Sequence, residues 1–276
     1  MKIVQITDLH LGPPGERVFG LDPWMRLEAC IANVNLHHAD ADLVVFTGDL
    51  AHNGEEAAYV ELKTRLLELK APFRLLIGNH DDRATFRRIF PQAPVDDAGF
   101  VQSRIQTTAG NLIFLDTNEP GTHAGRLCTV RRAWLEDALA ASPGPAFLFM
   151  HHPPLSLHLQ PMDAIRLQDA EALGEILSRH GEVHHIFFGH VHRPIAGNWR
   201  GIPFSCLRGT NHQVWLDFTA ERDIPCSLEP PAYAVAFIQP EQVVVHAHDF
   251  LDASPKYAYD PDLSSDEQVK PVSVPI

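Results

Sequence analysis

The segment KIVQITDLH, residues 2–10, is a short apolar alternation that runs straight into a carboxylate and an imidazole two positions apart. Residues 2–6 have the period of a β-strand, and Asp8 and His10, at i and i+2 of an extended or turning segment, project to the same side. The arrangement recurs. LVVFTGD at 43–49, FRLLIGNHD at 73–81, AFLFMHH at 146–152 and HIFFGHVH at 185–192 each pass from an apolar run into polar residues. Between them apolar residues fall at helical spacing, as in Leu27, Cys30, Ile31 and Val34 behind the helix-starting pair Asp22 and Pro23, or in Tyr59, Leu62, Leu66 and Leu69. Strands alternating with helices imply an α/β fold whose sheet is covered by helices and whose ligand site gathers beyond the strand ends. A further strand is expected at 112–115, and further helices at 134–139 and 172–177. From about Pro203 the pattern turns β-rich, and 233–238 with 243–248 read as a hairpin or as adjacent strands of a second sheet.

The whole chain fits that picture. Its 276 residues, 45% hydrophobic and 21% charged, are enough for one main domain with a sizeable core, and they exclude a disordered or fibrous protein. The expected division is one domain over 1–251, with a small cap excursion at 218–231, and a C-terminal arm or disordered tail over 252–276. A net charge of −13 disfavours long nucleic acids and anionic lipid surfaces, so a bound anion needs a local positive centre. Cys30, Cys128, Cys206 and Cys226 form no CxxC pair and read as free thiols of a reducing compartment. No apolar run approaches the roughly 18 to 20 residues of a membrane helix, and the first strand begins at once, so a cytoplasmic protein without a membrane partner is expected.

The 17 histidines are the abnormal count. Asp8, His10, Asp49, Asn79, His151, His190 and His192 together offer three oxygen donors and four imidazoles, too many for one tetrahedral zinc site. Two divalent cations fit better: Asp8, His10 and His192 on one, Asn79, His151 and His190 on the other, and Asp49 as a bridge giving one oxygen to each. Two dications less two aspartates and a hydroxide leave one positive charge, which a phosphodiester anion neutralises. The reaction expected is phosphoester hydrolysis by a metal-bound hydroxide, with His80 contacting a phosphoryl oxygen or protonating the departing alkoxide and Asp81 orienting it. The mixed donors suit iron, manganese, zinc and cobalt alike. The bland reading of the seven positions, as unrelated helix caps and buried histidines, is outweighed by their recurrence behind five strands. His152, followed by Pro153 and Pro154, suits a shaping role, and His123 reads as an ordinary surface or core residue.

The succession DLH, GD, GNHD, HH and GHVH, over roughly residues 1–210, resembles the signature of the calcineurin-like metallophosphoesterases. The resemblance implies a four-layer α/β/β/α sandwich with a dinuclear site at the strand ends. FGLD at 19–22, GNHDD at 78–82, MHHPPL at 150–155 and GTNHQV at 209–214 are similar to the bacterial class III cyclic-nucleotide phosphodiesterases and related glycerophosphodiesterases. This finer likeness implies His212 beside the substrate, with Asn79 and His80, and a homo-oligomer, dimer or higher, built through the cap. The implied substrate is a small phosphodiester. The alternatives are a phosphomonoesterase or pyrophosphatase of the same fold, or a catalytically silent binding scaffold.

Overall fold

The computed structural model describes residues 1–141, 144–239, 241–263 and 269–272. In chain order the first strands are β1 (Lys2–Ile6), β2 (Leu43–Thr47), β3 (Phe73–Leu76), β4 (Ser103–Thr107), β5 (Gly110–Phe114), β6 (Ala146–Phe149) and β7 (Val183–Phe188). They are followed by β8 (Ile195–Trp199), β9 (Ile202–Cys206), β10 (Gln213–Val214), β11 (Cys226–Ser227), β12 (Tyr233–Gln239), β13 (Gln242–His248), β14 (Tyr257–Tyr259) and β15 (Val269–Pro271). The helices are α1 (Pro23–His37), α2 (Glu56–Arg65), α3 (Arg83–Ile89), α4 (Thr129–Ala140), α5 (Gln160–Ala164) and α6 (Ala170–His180).

β1, β2 and β3 pair in parallel, with Val4 beside Val44 and Phe46 beside Leu75, as strands joined by crossover helices do. α1 starts where its sequence says: the Asp22 carboxylate accepts from the N–H groups of Trp24 and Met25, and Pro23 occupies the first turn. The hairpin of β12 and β13 forms at the expected residues but extends the first sheet, lying antiparallel to β1 with Val4 opposite Val235. The order is β13-β12-β1-β2-β3. The second sheet, β4-β5-β6-β7-β9-β8, is parallel in its centre and flanked by the antiparallel edge strands β4 and β8.

The two sheets meet through Ile3, Val45, Leu76, Phe114, Phe149 and Phe187, with the last two rings stacked at 4.6 Å. Leu27, Val34, Tyr59 and Phe86 of α1–α3 cover the outer face of the first sheet, and Leu135, Leu139, Leu173 and Leu177 of α4 and α6 cover that of the second. This is the expected four-layer sandwich. Central strands buried on both faces explain why residues 43–46 and 146–149 are continuous apolar runs rather than alternations. Gln5, buried between the sheets, ties them near the site by donating to the Thr47 hydroxyl at 3.1 Å and the Phe188 carbonyl at 3.1 Å.

Within the expected excursion β11 pairs back onto β10, which precedes it, with Gln213 opposite Ser227. In the C-terminal arm β14 and β15 pair with Tyr257 opposite Pro271, and Tyr257 and Tyr259 are exposed. The rest of the expected arm, 264–268 and 273–276, lies outside the described residues.

Candidate metal centre

The loops after β1, β2, β3, β6 and β7 open at one rim of the sandwich. Backbone bonds lock them together: Asp8 N–H to the Gly48 carbonyl at 3.1 Å, His10 N–H to that of Asp49 at 2.9 Å, and Gly189 N–H to that of His151 at 3.1 Å. Asp8, His10, Asp49, His190 and His192 all have positive φ, between 46° and 69°. Non-glycine residues rarely adopt that region, so five costly conformations cluster where the polar groups converge. The glycines ahead of them answer to crowding. A Cβ on Gly78 would lie 2.2 Å from Asp49 Oδ1, and one on Gly189 would lie 2.1 Å from the Thr7 hydroxyl.

The donor atoms face one another. Single ligand atoms of Asp8, His10, Asp49 and His192 all lie within 4.8 Å of each other. His10 Nε2 is 3.1 Å from His192 Nε2 and 3.6 Å from Asp49 Oδ2. On the other side of Asp49, Oδ2 is 3.3 Å from His151 Nε2, which is 3.1 Å from Asn79 Oδ1. His190 packs against His151 with ring centroids 5.1 Å apart. All seven expected donors are thus brought together. Asp49 Oδ1, however, accepts from the His80 N–H at 2.9 Å, so a single oxygen, Oδ2, faces both sides instead of one oxygen facing each.

Whether this cluster suits cations is decided by what else holds it. The Nδ1 atoms of His151 and His192 donate to the carbonyls of Thr47 and His212, each at 2.8 Å, which aims both Nε2 lone pairs inward. Asp8 Oδ2 and His190 Nε2 are buried with no hydrogen-bond partner among the described residues. Buried polar atoms without partners are costly, and a cation satisfies both. Burial lowers the His10 and His190 pKa values, keeping these rings neutral and able to coordinate. Burial opposes protonation of His151 as well, but the Asp49 carboxylate outweighs it and raises that imidazole to about 9, so a cation would have to displace the Nε2 proton to use that lone pair.

The calcineurin-like phosphoesterase model matches residues 1–194. The chain belongs to that family. This phosphoesterase is 45% identical, over 94% of its length and 96% of the relative's, to a probable cyclic nucleotide phosphodiesterase of Rhodopseudomonas palustris. It is 30% identical to a probable glycerophosphodiester phosphodiesterase of Arcobacter nitrofigilis over 88% of this chain and 90% of that one. A dimetal phosphatase from Danio rerio has the same fold, with a TM-score of 0.68 at 16% identity, covering 91% of this chain and 96% of that one.

Other residues of the phosphoesterase differ from their sequence reading. Asp81 does not orient His80. Its buried carboxylate accepts from the N–H groups of Leu50, Ala51 and Gly78 and from the Tyr59 hydroxyl, all between 2.8 and 3.1 Å, and so ties the loops after β2 and β3 together. Burial, with the nearby Asp49 charge, pushes this carboxyl up to about 6 against those bonds. His80 is oriented instead by donating from Nδ1 to the His52 carbonyl at 2.7 Å, which leaves Nε2 free for other contacts. His152 does shape the site: its ring nitrogens meet the Thr117 hydroxyl at 2.8 Å and the His123 carbonyl at 3.2 Å.

Two histidines were missed. His52 contacts His10, Nδ1 to Nδ1 at 3.2 Å, and His123 Nδ1 is 2.9 Å from Asn79 Nδ2, an acceptor that turns Asn79 Oδ1 toward His151. A signal existed for each. His52 lies three residues beyond Asp49 in one loop, and Asp116, Thr117 and Asn118 are a sixth polar cluster at a strand end, just ahead of His123. Asn118 Nδ2 donates to the carbonyls of Gly78 at 2.6 Å and Asp81 at 3.0 Å, and Asp116 takes the Arg83 guanidinium at 2.7 Å, so this cluster braces the loop carrying Asn79 and His80.

Proposed function

We propose that this phosphoesterase is a dinuclear-metal phosphodiesterase acting on small phosphodiesters of cyclic-nucleotide or glycerophosphodiester type. The observation that carries this reading is Asp49 Oδ2 standing between His10 Nε2 at 3.6 Å and His151 Nε2 at 3.3 Å, with the unpartnered Asp8 Oδ2 and His190 Nε2 in the same cluster. Asp8, His10 and His192 would hold one divalent cation, Asn79, His151 and His190 the other, and Asp49 Oδ2 would be shared. Iron, manganese, zinc and cobalt all suit these donors. When bound, such ions supply an acidified water for attack and positive charge at the phosphoryl oxygens.

The chain's own residues do the rest. His80, held through Nδ1, presents Nε2 to a phosphoryl oxygen or to the departing alkoxide. Asn79 and His212 line the same cavity of about 620 Å³, which opens over the cluster and is large enough for more than a phosphate. Its size, and the phosphodiesterase names of the two relatives, support a diester over a monoester or pyrophosphate. Among the described residues no helix is long and apolar enough to cross a membrane. The four free cysteines suit the reducing cytoplasm, and the exposed Trp215 and Leu216 just ahead of the excursion, with Phe218 at its start, suit a homo-oligomer. The test is the ratio of aryl diester to aryl monoester turnover by the metal-reconstituted protein. Diester cleavage should dominate, and faster turnover of the monoester would overturn the substrate class.

A further inference from the structure

The cavity beside the metal-ligand cluster has one wall that phosphate chemistry does not use. Phe19, Met162, Ile165 and Ile224, from the loop ahead of α1, from α5 and its end, and from the excursion, line this cavity with apolar side chains alongside the imidazoles. Glu221 and Arg222 supply polar groups on the excursion side.

Phe19 is the informative member. Val18 and Leu21 exchange both backbone hydrogen bonds at 3.0 Å, so Phe19 and Gly20 are the two central residues of a tight hairpin turn. Both have positive φ, 55° and 77°. That turn favours asparagine, aspartate or glycine at its first central position, and a phenylalanine there is held in a conformation its side chain disfavours. The turn is anchored rather than loose: Val18 is buried, Arg17 donates to the Gly20 carbonyl at 3.0 Å, and the buried Trp24 indole donates to that of Gly12 at 3.0 Å. Yet Phe19 is 51% exposed, with its ring toward His212 at a centroid distance of 4.2 Å. His212 in turn lies 4.7 Å from both His10 and His192. The strained turn therefore displays a flat apolar ring two ring spacings from the metal-ligand cluster.

We propose that Phe19, with the apolar side chains of Met162, Ile165 and Ile224, is a subsite for a planar nucleobase, so that the diester selected is a nucleotide rather than a glycerophosphodiester. This rests on the phosphodiesterase reading above. In a cyclic nucleotide the ribose fixes the base at one remove from the phosphate, where a ring can meet it. A glyceryl arm has no flat face to stack and would leave the apolar wall wet. Base stacking on an aromatic side chain changes binding by about tenfold or more. The exposed Glu221 and Arg222 are suited to the polar edge of the base.

The test measures kcat and KM of the metal-loaded protein for 3′,5′-cyclic AMP, glycerophosphoglycerol and glycerophosphocholine, comparing wild type with Phe19→Ala, Phe19→Tyr and Phe19→Asn. Phe19→Ala should lower the ratio of kcat/KM for cyclic AMP over glycerophosphoglycerol roughly tenfold, through KM, and Phe19→Tyr should restore it. Phe19→Asn should match the alanine variant in this ratio while raising Tm, because asparagine tolerates the turn, so a folding defect cannot mimic the result. An unchanged ratio, or wild type that cleaves glycerophosphoglycerol but not cyclic AMP, would overturn the subsite while leaving the diesterase reading intact. An equal loss on glycerophosphocholine would reassign the ring to a cationic head group and also overturn it. Preference of the wild type for an aryl monoester over every diester would instead sink the reading on which the subsite rests.

Discussion

At Asp49 a single carboxylate oxygen carries the geometry, since Oδ2 is the atom nearest to imidazoles from both halves of the cluster. Asp49→Ala is therefore expected to lose both metals, and retention of two metals per chain by elemental analysis would refute the sharing. His80 lines the cavity and is not among the seven proposed ligands, so on that assignment His80→Ala should keep the metals and slow turnover by roughly a hundredfold. The loss should be steepest for diesters with poor leaving groups, and an equal loss for nitrophenyl and alkyl leaving groups would remove its acid role. The convergence of the seven proposed donors was legible in sequence because each follows an apolar strand run within a few residues. His52 and His123 were not, because what makes them site residues is contact with His10 and Asn79 from loops whose packing no local pattern encodes.

Elements whose cause is local were equally readable, and those whose cause is remote were not. α1 could be placed from Asp22 and Pro23 alone. β4 and β8 are the two edges of the second sheet, with sequences SRIQT and IAGNW that are half exposed, so only pairing to β5 and β9 defines them. The attachment of β12 to β1 is likewise a contact between chain ends, and the same patterning would serve either sheet. Asp81 belongs to this scale because it joins elements. Removing it strands three buried N–H groups and the Tyr59 hydroxyl. Asp81→Ala should thus destabilise the fold by about 3 kcal/mol or more, read as a lower urea midpoint, and a loss of activity at unchanged stability would return Asp81 to a role in catalysis.

The cluster spans the whole molecule. Asp8, His10, Asp49 and Asn79 follow strands of the five-stranded sheet, whereas His151, His190 and His192 follow β6 and β7 of the six-stranded one. Cations held by both sets would staple the sheets at the rim where Gln5 already crosses between them. The unfolded chain scatters these residues over 185 positions, from Asp8 to His192, and cannot assemble the site. Binding free energy therefore becomes folding free energy, about 2.7 kcal/mol per site when free metal is a hundred times Kd. For a chain of this size each kcal/mol moves Tm by roughly 2–4 °C. Saturating manganese or zinc should accordingly raise Tm by about 5–10 °C per filled site, chelation should reverse the shift, and Asp49→Ala should abolish most of it. A shift of the same size in wild type and Asp49→Ala would mean that the metal stabilises the protein somewhere else, and the rim would lose its claim to join the two sheets.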